Sequence, residues 1–295
     1  ITILNVPPSN LAPSTPIIVY PETGQGEIDV PLEITAQPFS DPNHDSHTQS
    51  RWQISDQSDF SPFALVVDVT SNTYLTAFSV PHMVLKSNHK YYVRVRFYDI
   101  YSVASDWSSC VEFTTSCFFE DLNPNGVPGV PDNFEVDDSV DFNMDGIPDI
   151  HQPDIIKCVQ SSDHSMYIGI EKISDTISEI EAVEMIDYET IPDTANRPDD
   201  LIFGLILYRL KMKEPGGTAI LKIYFSGEIF KSDTFFKYDT INGWYDYSEH
   251  TTFNDDGQSV TLKLKDGGYG DSDGLANGII VDPGGIATSG VYGSN

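Results

Sequence analysis

The sequence predicts an all-β protein of two antiparallel β-sandwich domains separated by an acidic linker. Three observations carry this. Short runs of β-branched and aromatic residues recur between turn signals at spacings of about 10 residues, helical periodicity is almost absent, and the composition shifts abruptly between residues 117 and 158. With 295 residues, 39% of them hydrophobic, and 16 Phe and 15 Tyr, the chain can fill two separate cores.

In chain order, residues 1–16 hold a short alternating stretch over 1–6, then a spacer with Pro7, Pro8, Pro13 and Pro16. Proline favours extended geometry, so this reads as an N-terminal strand on a semi-rigid arm. Residues 17–116 form the first sandwich, with strands expected at 28–36, 50–54, 64–69, 74–80, 91–98 and 111–115. Across 91–97 the period of two buries Tyr91, Val93, Val95 and Phe97 and turns Arg94 and Arg96 to water. Residues 117–158 are the linker. Residues 159–295 return to strand patterning at 182–186, 201–210, 218–225, 235–238 and 260–264, with hairpin turns at Gly216-Gly217, Asn242-Gly243 and Asp256-Gly257.

Leu85, Tyr91-x-Val93-Arg94-Val95, Ser105-Asp106-Trp107-Ser108 and the closing Val111-Glu112-Phe113-Thr114-Thr115 resemble the second half of a fibronectin type III domain, an immunoglobulin-like sandwich. The resemblance implies that Tyr91 forms a tyrosine corner, its hydroxyl bonded to nearby backbone.

The linker carries ten acidic residues against one lysine, too polar a stretch to build a core unaided. It contains a repeat about 20 residues apart: Asp121, Asn123, Asn125 and Gly126, then Asp141, Asn143, Asp145 and Gly146. Oxygens at positions 1, 3 and 5 converge when the following Gly turns the backbone, and hard oxygens without a Cys or His pair select Ca2+. Position 12 of the first copy is Asp132, and position 9 of the second is Asp149. Gln152 occupies position 12 of the second copy, leaving Asp154 or water to complete its shell. Val-Pro or Ile-Pro after each Gly argues against the incoming helix of an EF-hand. The pattern resembles thrombospondin type 3 and dockerin-like calcium loops; the plainer alternative is a solvated acidic linker.

A third cluster holds Asp266, Asp271, Asp273, Asn277 and Asp282, with Asp271, Asp273 and Asp282 at loop positions 1, 3 and 12. It reads as another calcium site, or as a tight turn held by Asx hydrogen bonds. With Gly243-Trp244, Asp246 and Ser248 upstream, it resembles the carboxy-terminal signature of the choice-of-anchor U domain, a bacterial surface-protein module, over roughly 160–288. That resemblance implies an exported protein held at the cell envelope and no particular biochemical activity.

The charge points the same way. Forty-five acidic against 16 basic side chains give −29, so nucleic acid and anionic lipid are repelled and cations are the natural partners. No run approaches the ~20 apolar residues of a membrane span; 201–210 is too short and contains Arg209. A start at Ile1 without Met suggests loss of a signal peptide or excision from a longer chain, and so an extracellular or cell-surface location.

Three cysteines allow at most one internal disulfide. Cys110 and Cys117 lie on one extended run whose ~23 Å span exceeds the ~4.4–6.8 Å between bridged Cα atoms. The expected pair is Cys117 with Cys158, a clasp around the linker worth about 3–4 kcal/mol, with Cys110 left accessible; the alternative is three reduced thiols.

No catalytic centre is expected. Gly270-Asp271-Ser272-Asp273-Gly274 resembles the nucleophile loop of trypsin-like proteases, but Asp273 would set a negative charge beside the developing oxyanion. His44 and His47 lie in a turn-rich loop that reads as solvated rather than as a transition-metal site. The expected protein is a secreted structural or adhesive component stiffened by calcium, binding other surface proteins or copies of itself, with strand addition by residues 1–6 as a route to fibres. The alternative is a polysaccharide-binding accessory module in which Trp244, Tyr245 and Tyr247 stack on sugar.

Overall fold

The computed structural model describes residues 9–81, 83–116, 139–152, 154–161, 165–191, 193–239 and 242–288. The expected strand at 1–6, the first calcium-loop copy (Asp121, Asn123, Asn125, Asp132) and Cys117 lie outside them. The regular elements among the described residues are strands and one-turn 3-10 helices, so the protein is all-β, and no helix there is long and apolar enough to cross a membrane. The chain divides into two compact units, Ile1–Phe118 and Phe119–Asn295. The division falls at the start of the expected linker, and residues 139–158 fold with the second unit.

In the first unit, β1 (Ile18–Tyr20), β3 (Glu33–Ala36) and β6 (Ala77–Ser79) form one sheet in the order β1-β3-β6. β2 (Gln25–Ile28), β4 (His47–Ser55), β5 (Leu65–Ser71), β7 (Lys90–Asp99) and β8 (Val111–Thr115) form the other, ordered β2-β8-β7-β4-β5, antiparallel except where β2 runs parallel to β8. The expected strand 28–36 is broken at Pro31, which has no N–H to give a ladder; the two halves join different sheets. Trp52 of β4 fills the space between the sheets, its ring 6.0 Å from Phe78 of β6 and its Nε1 donating to the Tyr74 carbonyl at 2.7 Å.

Along β7, Tyr91, Val93, Val95 and Phe97 are buried as the alternation predicts. Arg94 and Arg96 depart from it: they lie 4.3 and 4.7 Å from the centre of the Trp107 ring. Ser105 and Ser108 accept from the Phe97 and Val95 N–H groups, laying this segment beside β7, so Trp107 covers the guanidinium stems that would otherwise meet water. The Tyr91 hydroxyl accepts from the Lys86 N–H at 2.8 Å. Tyr91→Phe strands that donor, and we expect a loss of about 1–3 kcal/mol in urea denaturation of this unit; an unchanged midpoint would show that the hydroxyl carries no net stability.

The second unit contains β9 (Ile156–Gln160), β10 (Tyr167–Lys172), β11 (Ile177–Ile186), β12 (Leu205–Met212), β13 (Thr218–Phe225), β14 (Thr234–Asp239), β15 (Gly243–Asp246), β16 (Thr251–Phe253), β17 (Ser259–Lys265) and β18 (Ile279–Ala287). Two five-stranded antiparallel sheets, β16-β17-β13-β10-β9 and β11-β12-β18-β14-β15, share one core through Ile168, Ile170, Leu221 and Leu262 on one side and Ile206, Leu210, Phe235 and Ile280 on the other. The expected strand 201–210 begins only at Leu205, after Gly204 at φ 85°. The largest departure is β18. Asp282-Pro283-Gly284-Gly285 reads as a loop, yet it is the central strand between β12 and β14. Its glycines allow this: a Cβ on Gly284 would collide with the Phe235 ring, and one on Gly285 would stand 2.6 Å from the Gly204 carbonyl.

Candidate metal centre

The expected second calcium loop folds as a tight coil against the edge of the second sandwich. Asp141 opens it, its carboxylate accepting from the Asp145 N–H at 3.2 Å and the Gly146 N–H at 2.9 Å. Asn143 Oδ1 accepts from Asp145 N, and Asp145 Oδ1 from Ile147 N. Gly146 takes φ 86°, the turn this spacing requires. Val140 then returns to pair with Asp149, its carbonyl accepting from the Asp149 N–H at 2.8 Å, and Asp149 begins the 3-10 turn Asp149–His151.

Asp149 and Gln152 are the buried members, at 2% and 8% exposure. Asp149 Oδ2 accepts from Phe142 N at 3.0 Å, while Oδ1 is buried with no hydrogen-bond partner. Gln152 places its amide nitrogen against both Asp145 oxygens, at 2.9 and 3.0 Å, and against the Ile147 carbonyl at 3.0 Å; its Oε1 is also buried and unpartnered. Burial pushes the Asp149 carboxyl above the usual range, against the hydrogen bond from Phe142. Asp154 is exposed. The loop therefore gathers Asp141, Asn143, Asp145, Asp149 and Gln152, although its carboxylates do not draw within 4.8 Å of one another as a trio.

Beneath the loop, Ile156, Cys158 and Tyr224 make a small apolar cluster with Val140, Phe142 and Ile150. Cys158 is a free thiol buried there, its Sγ 3.6 Å from Asp149 Oδ2, and burial pushes its pKa far up. The expected partner of Cys158, Cys117, lies outside the described residues; β9 turns Cys158 inward under the loop as a free thiol. Cys110 is a free, exposed thiol, as expected of the leftover cysteine.

The C-terminal acids have other partners. Asp266 accepts from the Gly216, Gly278 and Asn277 N–H groups, at 2.5, 2.9 and 3.2 Å. Asp271 accepts from Gly267 and Val281 N–H, and Asp273 from Leu275 N–H and the Asn277 side chain. Only the Asp273–Leu275 bond is a local Asx turn; the other backbone bonds reach 4 to 50 residues away and tie the loop to its neighbouring strands and turns. Asp282, on central β18, faces Tyr208 of β12 and forms a buried ion pair with Lys237 of β14, both charges at 1% exposure or less. Lys237 also lies 3.8 Å from the centre of the Tyr247 ring. A resident lysine thus answers Asp282, and removing it would leave a buried charge, at a cost of about 3–5 kcal/mol.

Two other sites differ from expectation. Trp244 is buried, donating to the Asp193 carbonyl, and Tyr247 is buried with its hydroxyl on the Lys263 carbonyl, so neither offers a sugar platform. His47 is not solvated: its ring stacks 4.5 Å from Phe39, and Nε2 meets Gln49 O and Ser50 Oγ. Sequence reading passes over a trio that the structure assembles, Asp41, Asp45 and Asp99, whose oxygens lie within 4.8 Å of one another. The available signal was Asp41-x-Asn43-x-Asp45, the spacing of Asp141-x-Asn143-x-Asp145.

No family model matches the chain, and no curated protein matches its sequence. Among solved structures it is similar to the α-L-rhamnosidase from Dictyoglumus thermophilum, at 11% identity over 88% of this chain and 26% of that one, with a TM-score of 0.30. It is also similar to the Streptomyces avermitilis α-L-rhamnosidase complexed with L-rhamnose, at 13% identity over 93% and 22%, with a TM-score of 0.28. The chain spans about a quarter of the length of either enzyme, and at these scores the likeness carries no functional argument.

Burial raises the carboxyls of Glu184, to about 7, and of Asp271 and Asp273, each of the latter two also raised by neighbouring acids. Each folded value lies above its unfolded one, so the native state holds protons that the unfolded chain has released. Their stabilisation is complete below the unfolded values and is lost as pH rises through the folded ones, from about 4 upward past 7. With divalent cations chelated, the second unit should melt at least ~5 °C lower at pH 8 than at pH 5 by calorimetry. An equal or higher melting temperature at pH 8 would contradict these assignments.

Proposed function

We propose that this chain is an extracellular, calcium-binding structural protein of the bacterial cell surface, in which Ca2+ taken up by Asp141, Asn143, Asp145, Asp149, Gln152 and the Ile147 carbonyl locks the 139–152 loop onto the second sandwich. One observation carries the reading: Asp149 Oδ1 and Gln152 Oε1 are buried without partners on a loop whose remaining oxygens are already turned by backbone N–H groups. Leaving such atoms unsatisfied costs about 1–3 kcal/mol each, and one divalent cation answers both. The donors are all oxygen, the set that suits the flexible six- to eight-fold shell of calcium. A half-turn of the Gln152 amide would exchange its nitrogen for oxygen against Asp145 and Ile147.

The same chemistry assigns Asp121, Asn123, Asn125 and Asp132 to a second calcium loop. Loops of this class bind at ~10⁻⁴–10⁻³ M, which suits calcium outside the cell. A net charge of −29 disfavours nucleic acid and supports cation-mediated contact with other surface proteins or further copies of the chain.

Calcium about tenfold above its dissociation constant adds ~1.4 kcal/mol, a rise of about 3–6 °C in the melting of the second unit. Chelation should reverse the rise and speed proteolysis within 139–152, and Asp145→Ala should remove both responses. A second-unit transition that ignores calcium, or responds equally in Asp145→Ala, would refute the proposal.

A second reading has one observation in its favour. A cleft of about 440 Å³ in the second unit is lined by Tyr245, Tyr269, His250, Asp246 and Glu249, with the His250 and Tyr269 rings stacked at 4.0 Å. Aromatic faces beside carboxylates suit a saccharide. Retention on a column of immobilised neutral polysaccharide, lost in Tyr269→Ala, is the expected result; passage of the wild-type chain unretarded would dispose of it.

A further inference from the structure

We infer that the first unit carries its own calcium site, formed by Asp41, Asp45, Asp99 and the side-chain carbonyl of Asn10. Asp41 and Asp45 share one turn and Asp99 comes from the end of β7, and the oxygens of all three gather within 4.8 Å of one another. Like charges so placed repel unless a cation stands among them. Among the described residues, none of the ion pairs reaches any of the three.

Two unsatisfied atoms point to a ligand independently of the crowding. Asp41 is 7% exposed and uses Oδ1 to accept from the Asn43 and Asp45 N–H groups, at 2.7 and 3.2 Å; its Oδ2 is buried with no partner. Asn10 donates from Nδ2 to Asp99 Oδ2 at 2.8 Å, which sets it against the cluster, and its Oδ1 is likewise buried and unpartnered. Both free atoms are acceptors. A water or a donor side chain could satisfy one of them, whereas a cation also relieves the repulsion among three carboxylates.

The surroundings hold the donors in place. Asp99 closes β7, and its Oδ1 accepts from Tyr101 and Val103 N–H, both at 2.8 Å. Asn43 Oδ1 accepts from Leu11 N at 2.7 Å, drawing the Ser9-to-Leu11 backbone onto the 41–45 turn. His44 takes φ 62°, as Met144 takes φ 57° at the equivalent place in the other loop. His44 within the turn is exposed, and His47 is committed to Gln49, Ser50 and its stack on Phe39. Three carboxylates and one amide oxygen, with no nitrogen or sulfur, select a hard divalent ion, and carbonyl oxygens or water can complete a calcium shell. The site joins the N-terminal segment, the loop before β4 and the end of β7, so calcium would clamp Asn10 to the sandwich.

The test is a titration of the full-length 15N-labelled chain with CaCl2 to about 20 mM, followed at individual amides. We expect saturable shifts at Asn43, Asp45, Tyr101 and Val103. Asp45→Asn, close in shape, should weaken that response at least ~tenfold while leaving the shifts at Asp145 and Gly146 intact. In chelator, Asp45→Asn should melt no lower than the wild type, because it removes a repelling charge; in calcium it should melt lower. Should Asp45→Asn fail to fold, Asp41→Asn serves the same comparison. Amides of the first unit that stay still up to 20 mM, while those of 141–152 move, would overturn this site and leave the loop intact; the converse would overturn the loop alone. Equal responses in wild type and both variants would also overturn the site.

Discussion

The fold has to bury carboxylates with too few basic side chains to answer them. Forty-five acids share 16 lysines and arginines, and several of the acids are buried rather than solvated: Asp41, Asp99, Asp149, Asp266, Asp271 and Asp282. A buried carboxylate is tolerated only when something replaces its hydration. The protein uses backbone N–H groups at Asp266 and Asp271, and a lysine at Asp282. Where neither is sufficient, at Asp149 and in the Asp41 cluster, buried side-chain oxygens remain without a hydrogen-bond partner.

This division explains why three acidic constellations of similar composition differ in chemistry. The C-terminal one is wired into its own strands. Asp282 sits on β18 because its glycines admit Phe235, and from there it meets Lys237 on the next strand; Gly270, at φ 77°, brings the following loop so close that a Cβ would lie 2.8 Å from Lys237 Nζ. The loops at 41–45 and 141–146 share the Asp-x-Asn-x-Asp spacing and a left-handed fourth residue, which turns side-chain oxygens inward but supplies no positive charge.

The loop conformation was largely legible because it is local. Positions 1, 3 and 5 followed by a glycine determine their own geometry within six residues, and the hydrogen bonds from Asp145, Gly146 and Ile147 follow that pattern. The burial of Tyr91, Val93, Val95 and Phe97 was legible for the same reason: a period of two needs no knowledge of neighbours. The stacking of Arg94 and Arg96 on Trp107 was not, since it depends on how Ser105 and Ser108 bond to β7.

By itself, the sequence determined the all-β class, the alternating core strands and the local coil of the acidic loop, because each follows from side-chain periodicity or from a turn a few residues long. Tertiary structure alone decided that Asp-Pro-Gly-Gly would be a central strand, that Cys158 would turn under a loop, and that Asp99 and Asn10 would join Asp41 and Asp45. Those outcomes rest on cross-strand packing and on contacts between residues far apart in the chain. Such contacts form only when the sheets close on each other, and no local pattern encodes them.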